Sequence, residues 1–215
     1  MERVDSLQGR TFAIVDVETS GTGRDDRVIE IGILRVVDGV CTETYRTFLD
    51  PERPLSSWIT KLTGITEDDL EGAPLFADVA DDVSRLLQGA IFVAHNVAFD
   101  YAFIKGEFAR IERFFEAPCL CTVRLSRLLS PRAKRHNLSA VIRRHKLSCE
   151  SRHRALDDAH ALWQFMQWGH RRKAPALARA LDKLLQTDRT AEYFRAPACA
   201  GRRAPEYSEG VRVIR

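Results

Sequence analysis

The chain has 215 residues, of which 45% are hydrophobic and 29% are charged, and this composition excludes collagen-like, low-complexity and mainly disordered proteins. No stretch approaches the ~18 consecutive apolar residues of a membrane-spanning helix, and residues 1–10 mix charges without the apolar centre of a signal peptide. We therefore expect a cytoplasmic protein that does not associate with a membrane.

The formal net charge of +3 conceals a segregation of charge along the chain. Residues 1–123 carry 12 basic and 22 acidic side chains, a net charge of −10, whereas residues 124–154 carry 10 basic and 1 acidic side chain, a net charge of +9. The net charge of residues 155–170 is −2 and that of residues 171–215 is +6. A basic stretch beside an acidic body predicts that part of the surface contacts a polyanion.

Apolar periodicity predicts an α/β domain whose first half is rich in strands. The predicted strands, in chain order, are 11–17, 28–37, 40–49, 90–94 and 118–121. The predicted helices are 55–62, one from residue 73 to 87, 98–115, one ending at residue 129, 138–145, 154–168 and 174–187. A turn at Asp38-Gly39 makes the second and third strands antiparallel, Thr66 with Asp69 forms a capping box, and Asn137 caps the helix that follows it. Three strands followed by alternating helices and strands predict one domain with a mixed sheet over residues 1–170, and residues 171–215 form a basic C-terminal helix and tail.

The five cysteines do not match a zinc site or a disulfide framework. Only Cys119 and Cys121 lie close together, and no second pair follows at zinc-ligand spacing. We therefore expect reduced, buried thiols.

Acidic residues occur where predicted strands end and predicted helices begin. Asp16 and Glu18 end the first strand and, being two residues apart, share a face of it. Asp100 lies in the first turn of one helix, and Asp158 lies one turn inside another helix that follows His153. Each alone has a structural explanation, as a strand-end turn residue or as an acid that interacts with a helix dipole.

Together, these side chains predict a metal-dependent phosphodiester hydrolase. The edges of α/β sheets collect functional groups from distant segments, and clustered carboxylates select Mg²⁺ or Mn²⁺ rather than Zn²⁺. Two such ions ~3.5–4 Å apart can hold the attacking and leaving oxygens of a phosphoryl displacement. His153 could deprotonate the attacking water.

Five motifs in this order resemble those of the DEDDh (DnaQ-like) 3′–5′ exonuclease family, and in particular its epsilon-type proofreading members from bacterial DNA polymerase III. The motifs are VDVETSG at 15–21, RVIEIG at 27–32, TGIT at 63–66, HNVAFD at 95–100 and HRALDDA at 153–159. The resemblance covers about residues 10–168. It implies an RNase H-like fold, in which a mixed five-stranded sheet has its first three strands antiparallel and helices on both faces. It also implies removal of nucleoside 5′-monophosphates from 3′ ends.

The resemblance also implies roles for individual residues. Four carboxylates match the family's ligands for two divalent metal ions, either Mg²⁺ or Mn²⁺: Asp16, Glu18, Asp100 and Asp158. His153 matches the general base, whereas Asp157 falls at a variable position and takes no role. Thr19, Leu62 and Phe99 match positions that touch the terminal nucleotide, although Phe99 could equally belong to the core.

The basic stretch lies between the second and third acidic motifs. Its side chains have an ordinary interpretation as solvated helix faces, but their position also suits a rim that follows a phosphate backbone. We hypothesise that Arg132, Lys134 and Arg135 contact the incoming strand. No aromatic residues are interleaved with them, so base stacking must come from elsewhere.

The leading prediction is a DNA 3′–5′ exonuclease acting on single-stranded or frayed 3′ ends, as a proofreading subunit or a stand-alone trimming or repair enzyme. An exoribonuclease of the same family, which would trim RNA ends, is the first alternative. A catalytically silent nucleic-acid-binding module is the second, but such a module has no use for four mutually repelling carboxylates. The partner could be a DNA polymerase subunit or a fused nuclease domain. The C-terminal tail could dock a polymerase, and a clamp-binding peptide is a weak match because its apolar pair would be displaced to Tyr193-Phe194.

Overall fold

Within residues 6–23 and 25–187, which are those that the computed structural model describes, the chain forms a five-stranded mixed sheet of order β3-β2-β1-β4-β5. The strands are β1 (Thr11–Thr19), β2 (Val28–Val37), β3 (Val40–Phe48), β4 (Ile91–Ala94) and β5 (Cys119–Cys121). β1 pairs antiparallel with β2, and β2 pairs antiparallel with β3, whereas β4 is parallel to both β1 and β5. The predicted mixed sheet, with its first three strands antiparallel, is confirmed.

The central strands are covered on both faces, which explains their long apolar runs. β1 and β2 are buried along most of their length, whereas β3 is an edge strand with many exposed side chains. In the register of β1 with β2, Asp16 lies opposite Gly32 and Glu18 lies opposite Glu30. Two glutamates therefore face each other near the C-terminal end of β1.

The helices lie on both faces of the sheet and form two cores. They are α1 (Ser57–Thr63), α2 (Glu67–Leu70), α3 (Phe76–Leu87), α4 (Ala98–Arg110), α5 (Thr122–Leu129), α6 (Leu138–His145) and α7 (Ala155–Gln186). On one face, β1 residues such as Val15 pack with α3 and α4. On the other face, Phe12 and Ile14 pack with α5, α6 and α7. The side chains alternate between the two cores because strand residues alternate between faces.

Local signals set several helix ends as predicted. Thr66 and Asp69 form the capping box of α2, and the Asn137 side chain accepts a hydrogen bond from the backbone N–H of Ala140 at 3.0 Å. The prediction that one helix reaches residue 115 was wrong, because α4 ends at Arg110. Glu112 adopts a left-handed φ of 59°, which is incompatible with a continuing helix.

The two helices predicted at 154–168 and 174–187 are one kinked helix, α7. Lys173 departs from helical geometry just before Pro175, whose ring clashes with the preceding turn and which has no N–H to donate. Beyond the kink, Leu177, Leu181 and Leu184 are buried in the same core as the first half of α7. Residues 171–186 therefore pack with the domain, while the rest of the predicted tail, including Tyr193, Phe194 and Cys199, lies outside the described residues.

The four described cysteines are free thiols. Cys119 is buried, but the expectation of burial was wrong for Cys41, which is exposed on the edge strand β3. No helix among the described residues is both long enough and apolar enough to cross a membrane.

Candidate active site

A cleft at the C-terminal end of β1 brings together the four carboxylates that the sequence singled out. They come from three elements: Asp16 and Glu18 from β1, Asp100 from the first turn of α4, and Asp158 from the first turn of α7. Glu18, Asp100 and Asp158 are buried, with 8%, 3% and 3% of their surface exposed. Segments far apart in the chain thus supply one acidic floor.

Strand geometry and one hydrogen bond position these carboxylates. Asp16 and Glu18 share the face of β1 that carries Ile14 and so project towards α7. The Oδ1 atom of Asp100 accepts a hydrogen bond from the backbone N–H of Val17 at 3.2 Å. This bond ties the start of α4 to β1 at Val17, which lies between the two acidic residues of that strand.

His153 lies at the same floor, directly before α7. A nitrogen of its ring and one carboxylate oxygen each from Glu18 and Asp158 lie within 4.8 Å of one another. The His153 backbone N–H donates to Oδ2 of Asp158 at 3.3 Å, and its φ of 62° lies in the left-handed region that few non-glycine residues adopt. Such strained backbone is concentrated at functional sites, which agrees with a role for this side chain.

Strand β2 holds the start of α7 in place through Gly32 and Glu30. A Cβ atom on Gly32 would lie only 2.4 Å from the backbone nitrogen of Leu156, so glycine allows the helix to approach the strand. The completely buried Glu30 carboxylate accepts from the backbone N–H of Ala155 at 3.2 Å. These two contacts orient the segment that carries His153 and Asp158.

Two arginines complete the surroundings of Glu30. Its carboxylate pairs with Nε of Arg46 at 2.6 Å and with Nε of Arg154 at 3.3 Å. Both guanidinium groups lie over the ring of Phe48, 5.4 and 5.2 Å from its centroid. We call Glu30, Arg46 and Arg154 the Glu30 cluster, in which two cations balance one buried anion.

Burial raises the pKa of Glu30 even beside these two arginines. The carboxylates of the cleft lack such cationic partners, and their pKa values also rise. Burial and the charges of Asp158, Glu30 and Asp100 raise the pKa of Glu18 to about 8. Burial is also the main reason why the pKa of Asp100 rises to about 8, with Asp158 adding to it. The pKa of Asp16 is raised well above its ordinary value by burial and by its acidic neighbours. Arg152, which lines the cleft and pairs with Asp158, offsets part of this negative charge.

The donor set fits hard divalent cations. Carboxylate oxygens are the preferred ligands of Mg²⁺ and Mn²⁺, and buried carboxylates that repel one another gain stability when a cation neutralises them. Glu18, His153 and Asp158 are close enough to hold one ion, and Asp16 and Asp100 line the same cleft.

The three residues predicted to touch the terminal nucleotide all line the cleft. The Thr19 hydroxyl donates to the carbonyl of Gly21 at 2.6 Å, and Leu62 on α1 leaves 41% of its surface exposed. Phe99 lines the cleft and also packs against Phe103 at a centroid distance of 4.9 Å, so its packing agrees with the core interpretation while its contact with a nucleotide stays a prediction.

The basic residues of the α5–α6 loop are placed differently. Arg132, Lys134 and Arg135 are exposed on this loop and are not among the residues that line the cleft. The loop leads directly into Leu138, the first residue of α6, which does line it. The three cations therefore lie in a segment that runs to the edge of the cleft.

Sequence reasoning gave no individual role to several residues of the cleft, and two of them are Arg152 and Trp58. Arg152 was counted only as one of ten basic residues, although it adjoins His153. Trp58 on α1 lines the cleft with 58% of its surface exposed. Its spacing of four residues from Leu62 on a predicted helix was the signal that could have found it.

Comparison with known proteins places this chain among nucleases. A family model described as an exonuclease (RNase_T) matches residues 13–166. The chain is 37% identical over 157 residues to a PolC-type DNA polymerase III of Caldanaerobacter subterraneus subsp. tengcongensis, with 73% of this chain and 11% of the relative covered. It is also 37% identical over 151 residues to the 3′–5′ exonuclease DinG of Staphylococcus epidermidis, with 69% of this chain and 17% of the relative covered.

The chain thus spans less than a fifth of the length of these curated relatives. Solved structures share its fold. Exonuclease X in complex with 5′ overhanging duplex DNA superposes with a TM-score of 0.61 at 24% identity, covering 79% of this chain and 98% of that one. E. coli exonuclease I in complex with a dA16 oligonucleotide superposes with a TM-score of 0.67 at 18% identity, covering 81% of this chain and 43% of that one.

Proposed function

Because this chain belongs to the exonuclease family that the RNase_T model describes, we propose that it removes nucleoside 5′-monophosphates from the 3′ ends of DNA in a metal-dependent reaction. The observation that supports this most strongly is the convergence of four carboxylates and His153 in one open cleft. The relative DinG is named a 3′–5′ exonuclease, and the PolC-type relatives are DNA polymerases. The first name favours 3′–5′ as the direction, and the second favours DNA as the substrate.

Four side chains would hold two divalent ions, Mg²⁺ or Mn²⁺: Asp16, Glu18, Asp100 and Asp158. When bound, such ions stabilise the negative charge that develops on the phosphoryl oxygens during hydrolysis. In return, the ions would offset the burial and the mutual repulsion of negative charge that raise the pKa values of Asp16, Glu18 and Asp100.

His153 would act as the general base. Its imidazole lies beside Glu18 and Asp158, where it can take a proton from the water that attacks the terminal phosphodiester. The contacts of Glu30 and Gly32 with the start of α7 hold this imidazole at the floor of the cleft. Strand β2 would therefore position His153, and the imidazole ring would accept the proton.

The remaining predicted contacts would bind the strand. Thr19, Leu62 and Phe99 line the cleft and would hold the terminal nucleotide. Arg132, Lys134 and Arg135 would contact backbone phosphates farther from the end, because their loop runs to the edge of the cleft.

The PolC-type relatives favour a proofreading role in association with a polymerase over stand-alone trimming. A proofreading enzyme removes a mismatched 3′ terminus faster than a matched one, because the mismatched end frays more readily. The ratio of these two rates distinguishes the two roles.

The decisive experiment digests four 5′-labelled substrates side by side: single-stranded DNA, duplex DNA with a mismatched 3′ end, duplex DNA with a matched 3′ end, and RNA of the same sequence. With Mg²⁺ or Mn²⁺ we expect a ladder that shortens the DNA from its 3′ end and releases 5′-monophosphates. EDTA and the Asp16→Asn variant should each abolish the ladder. Faster digestion of RNA would indicate an exoribonuclease, and binding without digestion of any substrate would indicate a silent nucleic-acid-binding module.

A further inference from the structure

Helix α1 presents two large apolar side chains to solvent at the cleft. Trp58 and Leu62 are one helical turn apart, both line the cleft, and they leave 58% and 41% of their surfaces exposed. Isolated exposed apolar residues need no explanation, but a pair on one helix face beside a catalytic cleft is a candidate binding surface.

The exposure of Trp58 does not come from a loosely attached helix. Only 2% of the surface of Ile59, the next residue, is exposed. Ile59 packs in a small core with Ile29 and Ile65. The Ser56 side chain caps the start of α1 by accepting from the backbone N–H of Ile59 at 3.3 Å, and Gly64 ends it with a left-handed φ of 75°. The indole is therefore carried on an anchored element.

Exposure increases from the floor of the cleft towards Trp58. Asp100 and Asp158 at the floor are each 3% exposed, Leu62 is 41% exposed, and Trp58 is 58% exposed. A strand whose terminal nucleotide contacts Leu62 would pass Trp58 on its way out. Four helical residues separate the two side chains by about 6 Å along the axis of α1, a distance comparable to one nucleotide step of an extended strand.

We propose that Trp58 is a stacking platform for the base next to the terminal nucleotide. The proposal rests on the proposed function, and it supplies the base stacking that the basic stretch lacks. Aromatic rings stack on any base, so this contact tolerates every sequence, but the base must be unpaired for its face to be free. Trp58 thereby selects single-stranded or frayed 3′ ends over paired ones.

A protein partner is a poorer occupant of this surface. Trp58 lines the same cleft as Asp16 and His153, so a protein seated on the indole would obstruct the entrance to the carboxylates. An unpaired base stacked on the indole, by contrast, belongs to the same strand whose terminal nucleotide occupies the cleft, so it leaves the carboxylates accessible.

The test compares a single-stranded oligonucleotide with the p-nitrophenyl ester of thymidine 5′-monophosphate, which has one base and no second nucleotide. For Trp58→Ala we expect KM for the oligonucleotide to rise roughly tenfold with kcat nearly unchanged, while hydrolysis of the ester stays at the wild-type rate. Trp58→Phe keeps an aromatic face and should restore most of the lost affinity. Phe114→Ala removes an exposed aromatic residue outside the cleft and serves as the matched control.

A second measurement locates the contact on the strand. An oligonucleotide with an abasic site next to its 3′ terminus should bind wild type and Trp58→Ala equally, whereas an abasic site five nucleotides away should preserve the tenfold difference. The proposal is overturned if Trp58→Ala slows ester hydrolysis as much as oligonucleotide digestion, or if it changes neither. Failure of the proposed function is distinct, because wild type would then hydrolyse neither substrate.

Discussion

Glu18 and Glu30 lie opposite each other on neighbouring strands, yet their surroundings differ completely. Both are buried, with 8% and 0% of their surfaces exposed. Glu30 is balanced by two arginines and a backbone N–H, whereas Glu18 faces the carboxylates of Asp158 and Asp100. The set of partners, rather than burial or residue type, separates a carboxylate that holds elements of the fold together from one that we propose to bind a cation.

Glu107 on α4 repeats the balanced arrangement on the other face of the sheet. This buried carboxylate accepts from Nε of Arg27 at 3.0 Å and from the backbone N–H of Val28 at 3.1 Å. Glu107 thus anchors the start of the segment RVIEIG, and Glu30, within that segment, anchors it to the start of α7.

The largest expected effect comes from removing the proposed base beside the unbalanced carboxylates. His153→Ala should lower kcat for single-stranded DNA by about 10²–10⁴-fold, the usual contribution of a general base, with a small change in KM. Steady-state digestion in saturating Mg²⁺ measures it. His160→Ala, on the same helix but outside the cleft, is the control. If both variants keep wild-type kcat, His153 is not the base.

The comparison of the two glutamates predicts opposite effects on stability. Glu30→Gln removes the charge that balances Arg46 and Arg154 and should lower the free energy of unfolding by about 2 kcal/mol. Glu18→Gln removes a repelled carboxylate and should raise that of the metal-free protein by roughly 1–2 kcal/mol. Urea unfolding in EDTA at pH 7.5 measures both. Destabilisation of similar size in both variants would contradict the distinction.

The pH dependence of stability tests the same distinction at a smaller expected effect. The pKa of Glu18 is about 8 in the folded protein against an ordinary value of 4.5, so between these values the folded state holds a proton that the unfolded chain releases. The stability that this group contributes is therefore present at low pH and is lost as the pH rises from about 5 to 8. We expect the metal-free protein to lose roughly 1 kcal/mol between pH 5.5 and 7.5 through this group.

Urea unfolding curves in EDTA at pH 5.5 and 7.5 measure this change in the free energy of unfolding. Glu18→Gln isolates the contribution of Glu18, because its stability should depend less on pH than that of wild type. Saturating Mg²⁺ should also reduce the pH dependence of wild type. If the stability of Glu18→Gln depends on pH as strongly as that of wild type, Glu18 is not the source of the pH dependence.

The smallest expected effect concerns exposed basic side chains and the salt dependence of DNA binding. In the described part of the chain, Arg132, Lys134 and Arg135 form no ion pair, so a phosphate backbone can supply their counter-charge. Their combined reversal to Glu should weaken binding of single-stranded DNA in EDTA and reduce the salt slope of log K by about 2. Anisotropy titrations over a range of salt measure the slope, and reversal of Arg171, Arg172 and Arg179 on α7 is the control. Equal slopes for wild type and the loop variant would exclude these contacts.

Much of this molecule could be predicted from its sequence because its signals are local. Apolar runs gave the strands, the capping residues Thr66 and Asn137 gave helix starts, and the acidic motifs at strand ends and helix starts gave the four carboxylates of the cleft. In each case a short stretch of chain contains the physical cause, such as a side chain that caps a backbone N–H or two residues that share a strand face.

The failures were caused by contacts between distant segments. Whether Pro175 would separate two helices or kink one depended on the burial of Leu177 and Leu181 against the sheet. Trp58 lies on the helix predicted at 55–62 but received no role from the sequence, and only the tertiary structure places it at the cleft. Part of the charge that balances the Glu30 carboxylate comes from Arg154, which is 124 residues away in the chain, so no local pattern indicates this pair.

The contact of Gly32 with the backbone of Leu156 has a consequence for how genetic variants of this protein are interpreted. Gly32 has no side chain and performs no chemistry, yet any larger residue there must displace the start of α7 together with His153 and Asp158. In a screen scored by loss of activity, substitutions at Gly32 would be indistinguishable from substitutions of His153, the proposed general base. A measurement of protein abundance alongside activity would separate the two, and sequence-based scoring that ranks residues by functional groups alone would overlook this position.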